Sequence, residues 1–165
     1  TFLRLRIAPL SQAQILAGKG LACFLSCIGV TVALLLLGRI ACGVRLENGL
    51  ALLIALPASA ACFVGIMMFV CVLGKTEQSV SGAGWGLMSM MAMLGGGMVP
   101  LFVMPEWMRT ISHVSPVKWA IVALEGAIWR GYSLAEMAVP VAALLAFGAG
   151  FLLLGLWRFA RIEKS

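Results

Sequence analysis

Four long stretches of this sequence carry almost no charge, and they decide the medium in which the chain folds. They run near Gly20–Gly38, Leu50–Leu73, Ala83–Val103 and Ala135–Trp157. The first three contain no acidic or basic residue, and the fourth holds only Glu136, at its start. A helix needs about 20 apolar residues to cross a bilayer, and a charge at its centre costs roughly 2.5–3.5 kcal/mol on the insertion scale. Composition agrees: 62% of the 165 residues are apolar and 11% are charged, where soluble domains carry about 25% charged residues. The expected fold is all-α, a polytopic membrane helix bundle of about four transmembrane helices. It forms one integral domain over residues 1–165, with no separate soluble domain.

The formal charge of +6 would suggest nucleic acid in a soluble protein. Here the basic residues flank apolar runs and do not cluster with aromatics in a solvent-facing stretch, so they are read as orienting charges and no nucleic-acid partner is expected. With four spans both termini share a side. That side collects Arg4, Arg6, Lys19, Lys75, Arg158, Arg161 and Lys164; the other holds Arg39, Arg45, Arg109, Lys118 and Arg130, accompanied by Glu47, Glu106, Glu125 and Glu136. The bias places both termini in the cytoplasm and the chain in the cell membrane. Thr1 opens directly into Phe2-Leu3-Arg4 without the ordered regions of a signal peptide, and the sequence is expected to be part of a longer chain.

Residues 104–131 form the segment between the last two spans. Glu106, Arg109, Thr110 and His113 recur at helical spacing on one face of Pro105–His113, and Trp107, Ile111 and Val114 fall on another, the pattern of an interfacial amphipathic helix. Ser115-Pro116 then reads as an N-cap with proline at the first helical position. The helix it opens, Val117–Trp129, is too short to cross. A re-entrant or interfacial outer hairpin results. Glu125 lies on this apolar helix with Lys118 two turns away on the same face. Either the two pair at membrane depth as part of a pathway, or Glu125 reaches the outer interface and Lys118 snorkels there. Ser133-x-x-Glu136 is a capping box opening the last span, and Pro140 should bend it. Ser11-x-x-Gln14, with Leu10 and Ile15 as a staple, is another helix start.

Several chemistries lack their residues. There is no GxxxxGK[ST] phosphate loop, so no nucleotide cofactor is expected on this chain. Gly82-Ala83-Gly84-Trp85-Gly86 has no strand before it and reads as the loop entering the third span. Gly95-Gly96-Gly97, followed by Pro100, weakens that span midway, either for close helix packing or as a break lining a pathway. His113 is the only histidine and no Asp occurs, which argues against a histidine-rich metal site and a serine triad at Ser112-His113-x-Ser115. The five cysteines form no CxxC pair; four lie in apolar runs and Cys42 in a candidate loop. The ten methionines lie mostly in spans, where packing is their default use.

Two places resemble a known family. Arg4-Leu5-Arg6-Ile7-Ala8-Pro9-Leu10-Ser11, continuing through Ile15-Leu16-Ala17-Gly18-Lys19 into a span, resembles the cytoplasmic coupling segment of type-2 ATP-binding-cassette (ABC) exporter permeases. Met104-Pro105-Glu106-Trp107, then Ser115-Pro116-Val117-Lys118-Trp119, resembles the outer hairpin between the last two spans of that family. The likeness in order and spacing covers essentially the whole chain, and implies the last four of six spans. It also implies an exporter permease dimerised with a second copy or homologue and served by ABC ATPase subunits that bind ATP and magnesium. Residues 1–19 would couple to the ATPase through Arg4, Arg6, Pro9, Leu10, Ser11 and Lys19. The third span with Gly95, Gly96, Gly97 and Pro100 would flank the route, and the hairpin with Pro105, Trp107, Pro116, Lys118, Trp119 and Glu125 would cap it. The competing readings are a non-transporting membrane scaffold and a channel or secondary transporter. The latter usually places ionisable residues inside its spans, and the first three spans have none.

Overall fold

A computed structural model describes residues 12–43, 47–74, 76–100 and 103–162. Among them are α1 (Gln12–Cys42), α2 (Gly49–Leu73), α3 (Glu77–Gly95), α4 (Glu106–Ile111), a 3-10 turn (Ser112–Val114), α5 (Pro116–Ile128) and α6 (Leu134–Ile162), with no strand among the described residues. The all-α fold expected from the apolar runs is what forms. Three helices contain segments long and apolar enough to cross a membrane, Ala17–Cys42, Gly49–Leu73 and Leu134–Arg158.

The remaining apolar stretch is organised differently from the expected Ala83–Val103. α3 starts earlier, where Thr76 Oγ1 accepts the Ser79 amide at 3.2 Å as an N-cap, and it stops at Gly95. Its 19 residues rise roughly 28 Å, close to the hydrocarbon thickness of about 30 Å. Its glycines and serines leave it less apolar than the other three, and the compatible count is three clear spans with α3 as the fourth long helix. Cys42, expected in a loop, is the last residue of α1. The coupling residues Arg4, Arg6, Pro9, Leu10 and Ser11, together with the Ser11 helix start, lie outside the described residues.

α2 is the hub. It packs on α6 most extensively, on α5 and α1 next, and on α3. The reason is its small-residue face: Ala51, Ala55, Ala58, Cys62 and Gly65 recur at three- and four-residue spacing and are all buried. The partner face on α6 carries Met137, Pro140, Leu144, Gly148 and Gly155, also buried. Lipid tails are as apolar as leucine, so helices in a bilayer associate by close van der Waals packing, and small residues let backbones approach. Here the approach is tight. A Cβ built on Gly65 would lie 2.5 Å from the Gly148 carbonyl oxygen, and one on Gly148 would lie 2.8 Å from Cys62 Cα. Further along, Phe69 of α2 meets Phe151 of α6 with tilted rings at a centroid distance of 5.6 Å. α1, by contrast, is almost wholly exposed along its apolar length.

α6 starts as its sequence dictates. The Ser133 amide and hydroxyl both donate to Glu136 Oε2 at 2.8 Å, and the Glu136 amide donates back to Ser133 Oγ at 3.4 Å. Pro140 and, in α2, Pro57 lie inside their helices, each removing one intrahelical hydrogen bond without ending the helix.

The close contact makes a direct prediction. Gly65→Ala should destabilise the folded protein by about 1–3 kcal/mol through overpacking against backbone, although alanine is intrinsically the better helix former. Gly150→Ala, on the same α6 but with no atom within 4 Å of its Cβ position, should be neutral or stabilising. Thermal unfolding in detergent compares them; equal midpoints would refute the close approach.

Candidate functional site

The segment after α3 builds the hairpin from two short helices. Pro105 precedes α4, whose six residues include no buried side chain. Trp107, Ile111 and Val114 are exposed, as an interface-lying segment requires. The buried Ser112 hydroxyl donates to the Arg109 carbonyl at 2.7 Å at the end of α4, and the Ser115 amide closes the 3-10 turn on the Ser112 carbonyl at 2.9 Å. Ser115 is extended, at φ −88° and ψ 123°, and buried Pro116 begins α5. α5 has 13 residues, roughly 20 Å of helix, too short to cross.

Ser115 occupies the expected cap position but does not cap with its side chain. Its hydroxyl donates instead to the Met91 carbonyl of α3 at 2.7 Å. That bond reveals the use of the triple glycine. Gly95 is the last residue of α3 and buried; a Cβ there would meet Ser115 Oγ and Val117 Cβ at 2.7 Å and the Lys118 amide nitrogen at 2.8 Å. Gly96 is left-handed at φ 98°, a conformation that costs any residue with a Cβ, and Gly97 donates to the Ala92 carbonyl at 2.8 Å. The three glycines therefore end α3 and seat it against the N-terminus of α5; they do not interrupt a longer helix. Pro100 follows on the exposed connection and accepts the Val103 amide at 3.0 Å.

Of the two sequence readings of the hairpin's charges, the Glu125–Lys118 pair does not form. Glu125 binds Arg130 at 2.8 Å, not Lys118. Both partners are partly exposed, so the pair contributes at most about 1 kcal/mol. Lys118 Nζ lies 2.8 Å from His113 Nε2, and His113 Nδ1 lies 3.1 Å from the Thr110 carbonyl oxygen. Trp119 Nε1 donates to the His113 carbonyl at 3.0 Å, and its ring meets the imidazole edge-on at 5.7 Å. Partial burial, with the Arg109 charge adding, holds the Lys118 ammonium below the usual lysine range.

The far end of α5 is fastened to the start of α2. Asn48 Oδ1 accepts the Ala51 amide at 3.2 Å as the N-cap of α2, while Nδ2 donates to the Tyr132 carbonyl at 3.0 Å. The Glu47 and Asn48 amides donate to the carbonyls of Ile128 and Ala127 at 3.2 and 3.1 Å, satisfying the terminal carbonyls that every helix leaves open. Tyr132 folds back so that its amide meets the Gly126 carbonyl at 2.9 Å, and its ring fills the space a Gly126 Cβ would occupy.

The structure thus brings Gly95, Pro116, Lys118 and Trp119 together at one end of α5 and puts Glu125 at the other; Trp107 stands apart on exposed α4, and Lys19 on exposed α1. Asn48, Tyr132 and Gly126 were missed by sequence reasoning, although Asn48 directly before an apolar run is an N-cap signal. No group of three or more His, Cys or Glu side chains among the described residues could hold a metal ion. This arrangement joins helices.

A helical bundle with three membrane-length apolar helices, and a short non-crossing hairpin before the last of them, has the architecture of a multi-pass membrane protein. The family model of ABC-2 type transporters matches residues 1–129, and the chain belongs to that family, as a permease-type membrane component. No curated protein and no solved structure matches it.

Asn48 yields a graded prediction. Asn48→Ala should cost about 1–3 kcal/mol from loss of the cap and the bridge. Asn48→Asp, which still accepts from Ala51 but cannot donate to Tyr132, should cost less. The ranking is read from unfolding midpoints in detergent, and an unchanged Asn48→Ala midpoint would contradict the fastening.

Proposed function

We propose that this chain is part of the permease of an ATP-driven exporter, working with a second permease copy or homologue and with ABC ATPase subunits that bind ATP and magnesium. The observation that carries this reading is the ABC-2 match, because it spans both the basic N-terminal segment and the hairpin as far as Trp129. Arg4, Arg6, Pro9, Leu10, Ser11 and Lys19 form the surface that docks on the ATPase, with both termini cytoplasmic and the hairpin outside, in the cell membrane. The seating of α3 on α5 supports a role for Gly95, Gly96 and the hairpin in the route, since a change at one is transmitted to the other through Ser115.

In the full-length permease, Arg4→Glu with Arg6→Glu should abolish substrate-stimulated ATP hydrolysis while leaving membrane insertion intact. An ATPase subunit should co-purify with the parent and not with the double variant. Unchanged stimulated hydrolysis counts decisively against the coupling role. Single cysteines at Arg109 and Lys118 in a cysteine-free background should react with an external impermeant thiol reagent, whereas those at Lys75 and Arg161 should need permeabilised cells; the reverse pattern inverts the orientation.

Transport assays on well-inserted variants test the route. Gly96→Leu and Glu125→Gln should impair export severalfold with ATPase docking retained. Normal export by both would remove the hairpin and the glycine junction from the pathway.

A further inference from the structure

Arg109 on α4, His113 in the 3-10 turn and Lys118 on α5 flank one corner of the hairpin, where Lys118 Nζ contacts His113 Nε2 at 2.8 Å and the Arg109 charge acts on Lys118. No ion pair to any of the three forms among the described residues, whose one ion pair is Glu125 with Arg130. The elements around the turn supply no hidden counter-charge. α3, which packs against it, carries Glu77 in its first turn as its single charged residue. On α5 the acidic group is Glu125, already engaged, and on α4 it is exposed Glu106, which makes no salt bridge with Arg109. The turn also sits beside exposed Trp107, Ile111 and Val114, an amphipathic setting that belongs at the boundary between acyl chains and headgroups.

Hydrogen-bond chemistry assigns the donors and acceptors of this cluster. An ammonium only donates, so the 2.8 Å contact makes His113 Nε2 the acceptor. The proton of a neutral imidazole then sits on Nδ1, where it donates to the Thr110 carbonyl. Trp119 holds the ring from one side through its bond to the His113 carbonyl and its edge-on contact. The imidazole is thus oriented by neighbours on both sides, with its outward nitrogen engaged only by a lysine.

We propose that Arg109, His113 and Lys118 form a binding site for the phosphate of an anionic membrane lipid. A phosphate diester offers acceptor oxygens to the Lys118 ammonium and the Arg109 guanidinium, both acceptor-free donors. Once Lys118 turns to the phosphate, His113 Nε2 is released, takes a proton from water and donates the third bond. Lipid binding and His113 protonation are therefore linked: the anion raises the proton affinity of the imidazole, and a lower pH tightens lipid binding by the same factor. This inference stands independently of the exporter reading, because it needs neither an ATPase nor transport.

His113 is the single histidine of these 165 residues, and in the full-length permease in nanodiscs, made with isotope-labelled histidine, its imidazole signal is assigned by its loss in His113→Gln. In phosphatidylcholine discs the nitrogen shifts should report the Nδ1–H tautomer. Replacing part of the lipid with phosphatidylglycerol should raise the titration midpoint by about one pH unit or more, tenfold in proton affinity. Membrane surface potential alone, about −30 mV, accounts for roughly half a unit. The Arg109→Gln, Lys118→Gln double variant measures that contribution, and its lipid-induced shift should be distinctly smaller than the parent's. Arg109→Gln alone, on a helix with no buried side chain, should give an intermediate shift and guards against misfolding of the double variant. Equal shifts in parent and variants, or none in the parent, overturn the site. A full shift from millimolar inorganic phosphate in phosphatidylcholine discs overturns the lipid assignment in favour of a free anion.

Discussion

Everything in this bundle is arranged around the near-contact of two backbones at Gly65 and Gly148. In water the burial of leucines would hold helices together, but in hydrocarbon that force is absent and the gain must come from proximity. Alanines, a cysteine and two facing glycines bring α2 and α6 together, and α2 then presents its other flanks to α1, α3 and α5. The side chains that fill the remaining space, such as Ile66 and Leu144, are buried because the backbones are already close. Larger residues on this stripe would separate the axes and loosen the other packings on the hub.

The hairpin depends on that hub through polar bonds. At its N-terminal side Ser115 and Gly95 lock α5 to α3; at its C-terminal side Asn48 and the Glu47 and Asn48 amides lock it to the start of α2. A short helix fastened at both ends is not a free flap. Its movement carries α3 with it or strains the joint at Asn48, and this gives the exporter proposal its mechanical content. The Glu125–Arg130 pair, partly exposed, trims the rim of that joint and does not reach across to Lys118.

How much of this the sequence displayed depends on the range of the interaction. Local signals were legible: the capping box at Ser133 and Glu136, proline at the start of α5 and the amphipathic run from Glu106. The apolar runs gave the fold class because charge exclusion from hydrocarbon acts residue by residue. The partner of Glu125 was not legible. Seven-residue spacing put Lys118 on the same face, but five-residue spacing across the helix end put Arg130 within reach, and Lys118 had His113 beside it. Ser115 misled for a related reason, since a cap position does not reveal that a carbonyl on another helix lies closer. The Gly65–Gly148 contact joins residues far apart in the chain, and each glycine alone says only that something lies near.

The family match stops at Trp129, whereas the main partner of α2 begins at Leu134. The segment recognised by homology and the segment that packs as a unit are therefore different objects. During synthesis at about 5–20 residues per second, the roughly 85 residues between the ends of the α2 and α6 spans take about 4–17 s to emerge. For that interval the small-residue stripe of α2 lies in the bilayer without α6, and an unpaired face of this kind fits any small-residue helix nearby. Insertion timing, not contact strength alone, thus governs whether α2 meets its own partner or a stranger.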